Sequence, residues 1–220
     1  MQLVKQTRIS QALVMSFYEE KILPHLINCA CSSEATGELR ARMLADAYGE
    51  VLEVGMGPGI NLQYYNPSKV TKVWGLEPSE GMRKKAQENL SNSPVEVEWL
   101  SLPGEKIPLD DNSVDCVVLT FTFCTIPDWK TAMQQMHRVL KPEGKLIFCE
   151  HGQAPDQDIQ KWQNRINPLW KKLFGGCNLN RPVLDSITKS GFNIDWDDCD
   201  YMEGSPRIVA YMSLGSAVKA

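Results

Sequence analysis

The chain has 220 residues, 43% of them hydrophobic, enough to bury a sizeable core in one large domain. Its 23 lysines and arginines against 27 acids leave a net charge of -4, which excludes the global basic field that draws nucleic acid or anionic lipid without regard to sequence. Glu19, Glu20 and Lys21 interrupt the place where an export signal's apolar region would continue, and the most apolar stretch, 116–126, is shorter than the roughly 20 residues of a membrane-spanning helix; a soluble, cytoplasmic chain is expected.

From the N-terminus, residues 10–30 and 33–46 carry helical periodicity, with Ser10 and Ser33 as N-caps, and form a helical cap over 1–47. Apolar, β-branched runs follow at 49–54, 70–76, 95–100, 114–121 and 145–149, most of them separated by helix-like segments. That alternation predicts a parallel sheet with helices on both faces, here a core over 48–152. Residues 156–173 repeat Ile159, Trp162, Ile166, Leu169, Trp170 and Leu173 along one helical face. A short helix at 182–190 and strands at 192–197 and 207–214, pairing as an edge hairpin, complete a substrate-side region over 153–220. The expected fold is α/β: one Rossmann-like, doubly wound domain with a mostly parallel seven-stranded sheet, an antiparallel edge hairpin and an N-terminal helical cap.

The strongest local motif is the run Val51-Leu52-Glu53-Val54-Gly55-Met56-Gly57-Pro58-Gly59-Ile60-Asn61, a strand running into three alternate glycines. A dinucleotide-binding turn needs its third glycine at position 60, which is Ile60 here, and this disfavours a nicotinamide-dependent oxidoreductase. Glycines at 55, 57 and 59 let backbone lie against a non-phosphorylated nucleoside with an amino-acid tail, which fits S-adenosylmethionine. Twenty residues beyond Gly57, Glu77 ends the second strand, where its carboxylate can accept bonds from both ribose hydroxyls, and Ser79 can cap the next helix. Glu53 has two readings, bracing the loop or receiving the methionine amino group through water. Asn61, Pro78, Thr120 and Phe121 complete the expected cofactor contacts.

The seven cysteines read as thiols of a reducing compartment. Cys29 and Cys31 form one C-x-C pair, whereas those at 116, 124, 149, 177 and 199 stand singly and supply no second pair, so no metal is expected.

At the glycine loop and Glu77 the chain resembles the class I S-adenosylmethionine-dependent methyltransferases, a likeness that runs from about Phe17 to the C-terminus. Further matching segments are 109–115, Leu-Asp-Asp-Asn-Ser-Val-Asp, and 138–144, Arg-Val-Leu-Lys-Pro-Glu-Gly. A narrower resemblance, to bacterial relatives of the mammalian methyltransferase-like thiol methyltransferases, lies in Phe123-Cys124-Thr125-Ile126, Glu150-His151-Gly152, Asn167-Pro168-Leu169-Trp170 and Gly176-Cys177-Asn178-Leu179. The resemblance implies methyl transfer to a small molecule, with a hydrophobic thiol as the leading acceptor. A phospholipid or quinone acceptor, or a module that binds the cofactor without turnover, is the alternative. The mammalian relatives' membrane anchor has no counterpart expected here, although peripheral membrane contact stays open, as does monomer or weak homodimer. One departure is Pro103, which stands where many members of the superfamily place an acid for adenine; Leu102, Glu105 and backbone groups are the substitutes.

Substrates of such sheets sit beyond the C-terminal ends of the strands, which directs attention to Cys124 and Thr125 after strand four and to Glu150 and His151 after strand five. His151 is either a base for a thiol of pKa about 8.5 or a strand-end residue bonded to backbone. Trp162, Trp170 and Phe174 either roof an apolar substrate pocket or pack the helix onto the sheet. Cys177 has no flanking charge to lower its pKa and is expected to be structural.

Overall fold

The computed structural model describes residues 34–220. The expected helix over 10–30, the Ser33 cap and the Cys29/Cys31 pair lie outside the described residues.

The elements in chain order are α1 (Glu34–Leu44), β1 (Gly49–Val54), a 3-10 turn (Ile60–Tyr64), β2 (Val70–Leu76), α2 (Glu80–Lys85), α3 (Gln87–Ser91), β3 (Glu96–Leu100) and β4 (Val114–Thr120). They continue with α4 (Trp129–Val139), β5 (Leu140–His151), α5 (Gln157–Leu173), α6 (Val183–Lys189), β6 (Phe192–Tyr201) and β7 (Tyr211–Lys219). One seven-stranded sheet has the order β3-β2-β1-β4-β5-β7-β6. β1 pairs in parallel with β2 and β4, β2 with β3 and β4 with β5, while β7 is antiparallel to both β5 and β6. The chain reverses direction across the sheet between β1 and β4. The loops after these two strands therefore leave the same end of the sheet side by side, which is where such folds bind ligands.

Alternation along the central strands builds one core on each face. Leu52, Val54, Val117, Leu119 and Phe148 point to the side covered by Met133 and Met136 of α4 and Ile187 of α6. Val51, Cys116, Val118 and Ile147 point to the opposite side, where Met43 and Leu44 of α1 pack. Glu53 shares the parity of Val51 and so enters the α1 side as a buried carboxylate. Ser79 caps α2 by accepting from Met82 N–H at 3.3 Å, as the sequence suggested, and the Asp128 side chain caps α4 by accepting from Thr131 N–H at 3.2 Å.

Two expectations are corrected. β7 begins at Tyr211 rather than 207, because residues 202–210, with Gly204 and Pro206, form turns tied down by an Arg207–Asp156 ion pair at 3.0 Å. The expected antiparallel hairpin of β6 and β7 is in place at the sheet edge, with β7 between β5 and β6 and β6 outermost. Strand β5 starts at Leu140 instead of 145, crossing a register break between Val114↔Leu140 and Cys116↔Lys145. At that break a Cβ on Gly144 would come within 2.8 Å of Asp115 O.

The apolar stripe of α5 is not what seats it. Trp162, Leu169 and Leu173 are 55%, 64% and 48% exposed, and the buried residue of this helix is Gln163. Its amide oxygen accepts from Ala154 N–H at 3.1 Å, while its nitrogen donates to Gly152 O at 3.0 Å and Ile208 O at 3.1 Å. Asn167 Oδ1 accepts from Leu179 N–H at 2.8 Å. Helix α5 is thus held by polar bonds to the chain leaving β5 and to two neighbouring loops.

Candidate active site

β1 delivers the glycine loop at its C-terminal end. Gly55, Gly57 and Gly59 have φ of 68°, 57° and 74°, a left-handed conformation that side-chain-bearing residues rarely adopt. At Gly55 the need is doubled, since a Cβ there would stand 1.9 Å from Thr122 Oγ1. At Gly57 a Cβ would meet nothing nearer than Gly55 O at 3.9 Å, because that side opens into a cleft. Glu77, buried at the end of β2, closes the loop onto the sheet: Oε2 accepts from Gly57 N–H at 3.0 Å and Oε1 from Ser79 N–H at 2.7 Å. Burial raises its pKa, and those two N–H bonds oppose the rise.

The cleft encloses about 250 Å³ between the loop and the end of β4, lined by Glu53, Gly55, Gly57, Glu77, Thr120 and Phe121 among others. These are residues that the sequence assigned to the cofactor. Gly59 and Asn61 stand behind this wall: Gly59 starts the 3-10 turn, and Asn61 Nδ2 donates to Glu53 Oε1 and Thr120 Oγ1, both at 3.0 Å. Glu53 also accepts from Tyr65 O–H at 2.8 Å, which braces the loop from behind while the residue still lines the cleft. Burial lifts it to about 7, with the Tyr65 and Asn61 bonds and the Arg40 charge opposing. Pro78, Leu102 and Glu105 are not in the lining. Leu102 is 36% exposed, and Glu105 Oε1 accepts from Asp128 N–H at 3.2 Å, at the start of α4.

A second cavity of about 350 Å³ lies under α5 and is predominantly apolar, with Phe121, Cys124, Thr125, His151, Trp170 and Phe174 in its wall. Trp170 and Phe174 stack with ring centroids 3.9 Å apart, one wall of the cavity. Trp162 is outside it, exposed on another side of α5 beside Arg165. Phe121 and Thr125 line both cavities, which therefore meet at the loop after β4. Phe121 has φ 52°, a strained conformation for an aromatic residue, held by its N–H bond to Cys149 O at 3.0 Å.

Glu150 does not face either cavity. Its Oε1 accepts from Thr122 N–H at 2.9 Å and Phe123 N–H at 3.0 Å, which shapes that same loop, while Oε2 is buried with no partner among the described residues. Burial raises it to about 7, against those two bonds. Beside it, His151 Nε2 lies 3.3 Å from Cys177 Sγ, and Trp170 Nε1 donates to the same sulfur at 3.3 Å. Hydrogen bonds from Cys124, His151 and Trp170 hold the Cys177 thiol well below its ordinary value against burial, while the bond to Cys177 and burial hold Cys124 above its own. For His151 burial works against the charged form, but Cys177 and Glu150 outweigh it and raise its pKa. The expectation that Cys177 lacks a neighbour to lower its pKa is corrected: His151, 26 residues away in the chain, is adjacent in space.

Sequence reasoning missed Arg40 and Thr36 of α1, which reach the first and second cavity respectively. It also missed Arg181, buried, whose guanidinium donates to Phe123 O and to Ile126 O. Helical spacing of α1 gave no sign of this, since Arg40 bonds Asn61 Oδ1 across the interior instead of facing solvent.

The family described as Methyltransferase domain matches residues 52–148, the span from the glycine loop through β5. Thiol S-methyltransferase TMT1B of Rattus norvegicus is 33% identical over 178 residues, covering 77% of this chain and 70% of that protein. Demethylmenaquinone methyltransferase of Staphylococcus carnosus is 33% identical over 126 residues, covering 56% of this chain and 51% of that protein. Among solved structures, an S-adenosylmethionine-dependent methyltransferase from Mesorhizobium loti superposes with a TM-score of 0.63 at 17% identity, over 86% of this chain and 99% of that one. With the loop, the acid at the end of β2 and the sheet order all in place, the chain belongs to the class I S-adenosylmethionine-dependent methyltransferases.

Proposed function

We propose that the protein binds S-adenosylmethionine in the cleft at the glycine loop and methylates a small, apolar thiol held in the cavity under α5. The observation that supports this is the meeting of the two cavities at Phe121 and Thr125, an arrangement in which a nucleophile in one would face a methyl group in the other. The cleft fits the donor. Its floor has open space where Gly57 lacks a Cβ, and Glu77 stands at the β2 end where a ribose would lie. S-adenosylmethionine bound there would supply an electrophilic sulfonium methyl for transfer to the acceptor sulfur, with S-adenosylhomocysteine and the acceptor's proton as the other products.

The chain's own contribution is mainly alignment and exclusion of water. Trp170 and Phe174 hold an apolar acceptor, Phe121 and Thr125 frame the passage, and His151 with Cys177 forms the polar corner where the acceptor's proton leaves. Glu150 is a positioning residue, acting through the 122–123 backbone. A thiol is favoured because a soft, weakly hydrated nucleophile suits a predominantly apolar wall, and because the rat relative is named for that activity.

Transfer of a radiolabelled methyl group is the test, against a panel of apolar thiols, phenols, amines and demethylated quinones. Thiols are expected to be labelled at least tenfold faster than the other classes. Preferred labelling of a quinone would contradict the thiol reading, and no labelling despite cofactor binding would support a non-catalytic module.

A further inference from the structure

Cysteines that stand singly in the sequence meet a histidine in the fold. Cys124 comes from the loop after β4, His151 from the end of β5 and Cys177 from the turn after α5, and their ligand atoms all lie within 4.8 Å of one another. We propose that these three side chains bind a zinc-type divalent cation and leave its fourth position open to the apolar cavity.

Two sulfurs and an imidazole nitrogen are the donor set of borderline-soft cations. A tetrahedral ion with sulfur at about 2.3 Å and nitrogen at about 2.0–2.1 Å requires ligand atoms about 3.5–3.8 Å apart. His151 Nε2 and Cys177 Sγ are 3.3 Å apart, and the remaining separations close to ligation distance with small side-chain movements. The scaffold is already tied together. Asn178 donates to Cys124 O both from its backbone N–H at 3.0 Å and from Nδ2 at 2.8 Å, which joins the two cysteine loops. Arg181 clamps the carbonyls of Phe123 and Ile126 on either side of Cys124, and Trp170 Nε1–H already points at the Cys177 sulfur, as an outer-shell donor would.

Three protein ligands with the cavity as the fourth direction describe a site that holds a substrate atom, not a closed structural one. All three residues line that cavity. On the reading of the cavity as a thiol site, the acceptor would ligate as its thiolate, releasing its proton on binding, and His151 would serve as ligand. Metal binding itself does not depend on that reading.

The test is anaerobic titration of Co(II) into the reduced full-length protein, followed by visible and near-ultraviolet absorption. One equivalent is expected to give tetrahedral bands and a sulfur-to-cobalt charge-transfer band. Cys124→Ser and Cys177→Ser should each lower that band by about half, one of two thiolates being lost, and His151→Ala should weaken binding more than tenfold. Circular dichroism identifies any variant that fails to fold, and Cys29→Ser/Cys31→Ser tests the other cysteine pair. No tetrahedral spectrum, or a spectrum lost with Cys29 and Cys31 but kept without Cys124 and Cys177, would overturn the site. Adding phenylmethanethiol should intensify the charge-transfer band, and an unchanged spectrum would overturn the open position. Cobalt binding without thiol methylation would count against the functional reading alone; full methylation by protein shown to be metal-free would count against ligation of the acceptor by the metal, and leave the binding site to the cobalt spectrum.

Discussion

Glu53 shows what a single buried acid costs and supplies. It sits on a central strand because the glycine loop needs a rigid base, and it is satisfied by Tyr65 and Asn61. Burial moves its pKa from 4.5 to about 7, so its ionisation works against the fold. A raised folded-state pKa contributes stability that is complete below the unfolded value and is lost as pH rises through the folded one, a window from about 4.5 to about 7. Urea unfolding of wild type and Glu53→Gln at pH 5 and pH 8 isolates this effect, because other groups cancel between the two proteins. Relative to Glu53→Gln, wild type should lose a few kcal/mol between those pH values. Parallel pH dependence would show that Glu53 does not titrate in this range. At this scale the sequence was legible where chemistry is local: the alternate glycines and Glu77 could be placed by spacing alone. The His151–Cys177 contact and the inward Arg40 could not, because each depends on residues brought together only by the packed fold.

Helix α5 makes a different point about elements. A face of Ile159, Trp162, Ile166, Leu169, Trp170 and Leu173 has the spacing of a core-facing stripe, and the strands it was expected to cover are indeed there. Yet its anchor is Gln163, whose three bonds reach Ala154, Gly152 and Ile208. Periodicity reports which residues are apolar, and it is blind to a buried amide that fulfils the bonds of loop backbone. Glu150 holds the 122–123 loop in the same manner, so polar groups, not apolar area alone, fix the roof of the cavity under α5 and the loop it shares with the cleft. Replacing Gln163 with Leu leaves one buried N–H and two carbonyls without that partner, which should destabilise the fold by about 2–4 kcal/mol. It should also raise the acceptor KM more than that for the cofactor, since α5 contributes Trp170 to the acceptor cavity. A stability change below about 0.5 kcal/mol would contradict the anchoring role.

For the whole molecule, the sheet order brings the ends of β1, β2 and β4 to one edge and β5 beside them, so that the cleft at the glycine loop and the cavity under α5 share Phe121 and Thr125. The strand alternation made the seven-stranded architecture legible; the insertion of β7 between β5 and β6 was not, because a hairpin reads the same whichever strand lies outside. Methyl transfer in this chain requires above all that the glycine loop and Glu77 hold a sulfonium nucleoside. Isothermal calorimetry of wild type and Glu77→Ala with S-adenosylmethionine, S-adenosylhomocysteine and NADH tests this most directly. Wild type should bind the first two and not NADH, and Glu77→Ala should bind both more than tenfold more weakly, the loss of charge-assisted bonds worth about 1.5–3 kcal/mol. Tighter binding of NADH, or undiminished binding by Glu77→Ala, would contradict it.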